Sequence, residues 1–211
     1  MVFIIAILSF CSLVYELQLA QLLASLLGNT VYRYSMIVGI YIAALGFGAF
    51  FVKGETNNKI KKLFRVEILL SVLGGGSILY LEAFYLLFPN VYFFAFLCYL
   101  TVVIIGLLSG MELPLLLNIK KDKTTLIIGL NYFGAFIGAI LFPLLFFSLL
   151  GLTKTSLIIG LINVLVALFI SFNFQKRYYH IFVCIIILII FIILLQFSFK
   201  IESYFILNFI K

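Results

Sequence analysis

Four of the seven acidic residues, Glu16, Glu67, Glu82 and Glu112, stand inside long apolar runs. A charged side chain there costs about 2.5–3.5 kcal/mol on insertion scales, so such a residue holds a cation, moves a proton, or is tied up by hydrogen bonds between helices. Glu16 is the deepest of the four, near the middle of the first run and next to Tyr15. Two readings stay open for it: a hydrogen-bonded glutamate that locks two helices, or a cation or proton site. Glu67, close behind Arg65, and Glu82, near the far end of the same run, are placed to reach an interface.

Glu112 is more informative because of its neighbours, Gly110-Met111-Glu112-Leu113-Pro114. Pro114 has no backbone N–H, and its ring pushes against the carbonyl four residues back, which belongs to Gly110. A helix break at Gly110 and Pro114 would place a freed carbonyl beside a carboxylate, about 10 Å from the Lys120–Lys123 loop at 1.5 Å per residue. The next run returns from that loop and brings Asn131 and Tyr132 to a similar depth. A broken helix offering a carbonyl and an acid is a device of transport sites, and a kink held only by packing is the alternative. The candidate ligand-binding residues are therefore Glu16, Glu112, Asn131, Tyr15 and Tyr132.

The inventory closes other chemistries. One His (His180), no Trp and three scattered Cys (Cys11, Cys98, Cys184) supply no metal or haem set and no disulfide framework. No metal, no cofactor and no catalytic residue is expected. The triplet Gly74-Gly75-Gly76 lies inside an apolar run with no strand before it, which fits close helix packing and not a nucleotide loop. Gly39, Gly46, Gly48, Gly134 and Gly138 read the same way.

The elements that must position these residues are membrane helices. Of 211 residues 66% are hydrophobic and 10% charged, whereas a soluble domain carries about a quarter charged. Runs at 2–27, 34–52, 63–87, 91–111, 124–153, 155–175 and 178–199 each meet the roughly 20 residues needed to cross a bilayer. The expected fold is an all-α polytopic bundle of about seven transmembrane helices, one domain over residues 1–199, with residues 200–211 as an amphipathic tail lying on the membrane. The first run is expected to be retained as a helix and not removed as a signal.

Placing alternate loops on opposite sides puts ten basic residues on one face: Lys53, Lys59, Lys61, Lys62, Arg65, Lys120, Lys121, Lys123, Lys176 and Arg177. Four remain for the other: Arg33, Lys154, Lys200 and Lys211. The positive-inside bias then makes the ten-charge face cytoplasmic, with the N-terminus on the cytoplasmic side of the cell membrane. The net charge of +7 reads as topology and affinity for the lipid bilayer, with no nucleic acid as partner.

Several stretches together carry a resemblance: Tyr15-Glu16-Leu-Gln-Leu, Gly28-Asn29-Thr30, Tyr34-Ser35, Gly46-Phe-Gly48, Gly110-Met-Glu112-Leu-Pro114, Asn131-Tyr132-Phe-Gly134-Ala135, Phe142-Pro143 and Gly151-Leu-Thr. Over roughly residues 8–170 the chain resembles the N-terminal membrane domain of the transmembrane spermidine synthases, the membrane-bound polyamine aminopropyltransferases. That family usually has an acid where Asn131 stands here. Its members typically continue into a soluble domain that transfers an aminopropyl group from decarboxylated S-adenosylmethionine to putrescine. The resemblance implies the membrane module, so aminopropyl transfer by this chain alone is not expected.

Two functions follow as expectations. The first is a transport-like or docking unit for a polyamine or related small cation, using the intramembrane acids. The second is a non-catalytic anchor or assembly subunit for a separately encoded soluble aminopropyltransferase partner, or a truncated piece of the full-length enzyme.

Overall fold

A long apolar run satisfies its backbone within its own segment only as a helix. The structure, a computed structural model, describes residues 3–52, 59–172 and 177–209. Lys53, Lys176 and Lys211 of the charge count lie outside those residues. Among the described residues every regular element is helical: α1 (Ile4–Leu27), α2 (Thr30–Phe50), α3 (Lys59–Gly75), α4 (Ser77–Leu87), α5 (Val91–Ile119), α6 (Thr124–Leu141), α7 (Gly151–Ser171) and α8 (Arg177–Phe209). A 3-10 turn, Lys121–Lys123, leads into α6, and a π-helical segment, Phe142–Leu150, leads out of it.

Five runs are long and apolar enough to cross a membrane, and α3 with α4 adds a sixth when counted as one broken span. One of the five, Lys121–Ser171, is 51 residues long, far more than one crossing requires. Gly151 divides it. Its φ of 74° and ψ of −178° are not helical, and only glycine takes such a conformation readily. The division brings the segments among the described residues to seven. Gly28 (φ 69°) and Asn29 (φ 50°) make the corresponding break between α1 and α2, and Asn90 caps α5 by accepting from the N–H of Tyr92 at 3.0 Å and of Phe93 at 3.1 Å.

α1 is the central helix, packed against α2, α5, α6 and α7. The α2/α5 contact is backbone-close. A Cβ on Gly110 would strike the backbone of Leu45, and one on Gly48 the backbone of Leu107. Gly134 does the same for α6 against Ala6 of α1. These are small-residue contacts that let helix backbones approach closely.

Two expectations about helix continuity are corrected. α5 runs from Val91 to Ile119 with Pro114 inside it, so Gly110 and Pro114 mark no interruption. The proline takes away one hydrogen bond, and the turns on either side, packed against α2 and α3, hold the helical path. The break falls instead at the glycine triplet, where α3 ends, α4 begins and the pair bends by 41°. Freed carbonyls there are met by hydroxyls. Gly74 O accepts from Ser77 Oγ at 2.6 Å and from Ser156 Oγ at 3.1 Å, and Gly75 O accepts from Ser156 Oγ at 2.8 Å. At the other end of the chain α8 continues past Lys200 to Phe209.

Candidate functional site

On α1 the residues Ser9, Ser12 and Glu16 are spaced three and four apart, which puts them on one helix face. That face lines a cavity of about 380 Å³. α2 contributes Tyr41, Leu45, Gly46 and Ala49; α5 contributes Ser109, Gly110, Glu112, Leu113 and Pro114; α6 contributes Asn131, Tyr132 and Ala135. The volume falls within the range of small-molecule sites, roughly 300–1,000 Å³. Six of the seven residues singled out from the sequence therefore meet: Glu16, Glu112, Asn131, Tyr132, Gly110 and Pro114.

Glu16 is 6% exposed and Glu112 4%, and neither makes a hydrogen bond among the described residues. Among the described residues no Lys, Arg or His lines the cavity. Two buried carboxyl groups with no cationic neighbour leave the site without charge compensation, and an unpaired ionised group out of water costs several kcal/mol. Around them stand neutral donors and acceptors. Ser12 Oγ and Tyr41 OH are 2.8 Å apart, and Tyr41 OH also donates to the Ser12 carbonyl at 2.9 Å. Ser9 Oγ donates to the Asn131 carbonyl at 2.6 Å, so the link from α1 to α6 runs through the Asn131 backbone. Carboxylates, hydroxyls and tyrosine rings together are a set that receives an organic ammonium by charge-assisted hydrogen bonds and by the ring face.

Tyr15 does not join them. It lies on an adjacent face of α1, against Gly74, and its hydroxyl accepts from Asn163 Nδ2 at 3.2 Å. The adjacent number hid this, because neighbours in a helix point about 100° apart. Tyr15 belongs to a second polar seam with Gln18, whose Nε2 reaches Ser77 Oγ at 3.3 Å and Ser156 Oγ at 3.4 Å. Among the described residues Gln18 Oε1 and Asn163 Oδ1 remain without a partner in that seam.

Glu67 and Glu82 also depart from the interface positions expected for them. Glu82 is buried, with Thr153 Oγ1 donating to its carboxylate at 3.4 Å. Glu67 is fully buried and neither carboxyl oxygen has a partner among the described residues. It lies near enough to Glu112 for the two carboxyl groups to act on each other electrostatically. The sequence held no signal for this, since Arg65, two residues away, points outward. Ser9, Ser12, Tyr41 and Ser109 were not singled out either, although the helical spacing of the first two with Glu16 is a readable pattern.

Comparison with curated proteins finds several relatives named polyamine aminopropyltransferase. One from Leptospira interrogans is 37% identical over 170 residues, covering 78% of this chain and 34% of the relative. One from Corynebacterium efficiens is 37% identical over 178 residues, covering 79% and 34%. One from Oceanobacillus iheyensis is 30% identical over 186 residues, covering 82% and 35%. The chain spans about a third of the length of the curated relatives it matches. No protein-family model matches it, and no solved structure does.

Proposed function

We propose that this chain is the membrane-embedded helical module of a polyamine aminopropyltransferase-type protein, and that the cavity of Glu16 and Glu112 is the place where the module holds an amine. The observation that carries the reading is the similarity of about four-fifths of the chain to about a third of proteins bearing that name. A module of this kind keeps aminopropyl transfer, performed by a separate soluble portion or partner, at the membrane.

Support for the membrane setting comes from an inverted distribution of polarity. Large apolar side chains such as Phe47, Phe136, Leu149, Phe182 and Ile189 are exposed, while Glu16, Gln18, Glu67, Thr155 and Asn163 are buried. Water would penalise that exterior and lipid would not, and the interior is where intramembrane acids belong.

The test is a chimera in which this chain replaces the matching third of the Leptospira relative. Aminopropyl transfer retained in alkali-washed membranes supports the module. Activity found only in the supernatant, with the intact relative active in parallel, overturns it.

A second reading, a transport-like unit for polyamines, is favoured by one observation alone, the two carboxyl groups lining a cavity without hydrogen bonds. Labelled putrescine flux into liposomes that contain the purified chain would support it, and amine binding without flux would oppose it.

A further inference from the structure

A second cavity, of about 270 Å³, lies between the start of α3 and the start of α8 and is lined by Lys61, Phe64, Arg65, Tyr179, His180 and Val183. Its character is opposite to that of the first: among the described residues its lining holds cations and no acid. Lys61 and Arg65 stand four residues apart on one face of α3 and both are exposed, an arrangement in which like charges repel. Among the described residues neither has an ion-pair or hydrogen-bond partner. The rest of the lining is apolar and aromatic. Phe64 is buried, its ring 4.9 Å from the imidazole of His180 in an edge contact, and the His180 ring lies edge-on to Tyr179 at 5.8 Å.

We infer that this cavity is a binding site for a phosphate-bearing anion, and that its source is the headgroup of an anionic phospholipid. A guanidinium and an ammonium one turn apart can share one phosphate through charge-assisted hydrogen bonds, and the Tyr179 hydroxyl adds a neutral donor. The apolar floor of Phe64 and Val183 matches the glycerol and first acyl carbons that follow a lipid phosphate, and has nothing to offer free phosphate. Basic pockets between helices at the membrane boundary are suited to such headgroups. The inference rests on the membrane reading above.

The experiment uses the full chain purified in detergent and follows thermal unfolding while dioleoylphosphatidylglycerol, dioleoylphosphatidylcholine or inorganic phosphate is added. The phosphatidylglycerol form should stabilise the protein well beyond phosphatidylcholine. The double variant Lys61→Gln with Arg65→Gln should weaken the apparent affinity at least about tenfold, the equivalent of one lost hydrogen bond between charged groups. The control Lys121→Gln with Lys123→Gln should leave it unchanged. Stabilisation by inorganic phosphate that is lost in the Lys61/Arg65 variant would keep the anion site and overturn its lipid source. Equal losses in both double variants, or none in either, would overturn the site altogether. Release of the chain from membranes by alkali would instead count against the membrane reading and is scored separately.

Discussion

Ser9 Oγ donates to the backbone carbonyl of Asn131 at 2.6 Å, so α1 is bonded to α6 at the cavity without using the Asn131 amide. The side chain at this position can therefore change without cutting the link. Asn131→Asp should fold as the parent does and add a third carboxyl group to the cavity. Spermidine affinity should rise about tenfold, as for one added charge-assisted hydrogen bond; a titration by calorimetry in detergent checks it.

Pro114 lines the same cavity inside an unbroken α5. Pro114→Ala restores a backbone donor for the Gly110 carbonyl and relieves a substitution that costs about 3 kcal/mol in a helix interior. The unfolding temperature should rise. Amine affinity should fall in the same variant, because the carbonyl of Gly110, a residue that lines the cavity, becomes engaged. Thermal unfolding and the same titration report the two effects.

The glycines divide into two classes that unfolding measurements separate. Gly110→Ala and Gly134→Ala would drive a methyl group into the backbones of Leu45 and Ala6, and overpacking of this kind costs about 1–3 kcal/mol. Gly39 and Gly129 have open space at the same position. Ala there should stabilise by about 0.5–1 kcal/mol through the helix preference alone.

How much of this was legible in the sequence depends on the kind of feature. Runs of apolar residues and the breaks at Gly28-Asn29 and Gly151 were readable, because length and backbone conformation are local properties. The meeting of Glu112 and Asn131 was readable from depth counted along helices, and that Glu16 joins them was not. Tyr15 was misplaced because depth says nothing about rotation, and its neighbour Glu16 points about 100° away around the helix. Pro114 was read as a break because its local chemistry argues for one, yet neighbouring helices keep α5 in line. Glycines in a packed span bend it when hydroxyls from another helix, here Ser156 of α7, take up the freed carbonyls. That partner is 82 residues from Gly74 and 81 from Gly75 in sequence, and no local pattern announces it. Unlike a kink, the buried and unpartnered state of Glu67 is a purely tertiary fact.

The proposed membrane orientation rests on ten basic residues against four. Reporter fusions after Lys62, Lys123 and Arg177 should report the cytoplasm, and fusions after Thr30 and Lys154 the outside. The reverse pattern would show that the bias acts in the opposite sense.

The most direct test of the amine cavity is equilibrium binding of labelled spermidine to the purified chain and to its Glu112→Gln variant. That substitution keeps the shape and removes one charge. The account predicts saturable binding to the parent, and a loss of ten- to a hundredfold in the variant, corresponding to about 1.5–3 kcal/mol for a hydrogen bond to a charged group. Equal affinity in the two proteins, with a change only in thermal stability, would contradict it and leave Glu112 as a packing residue.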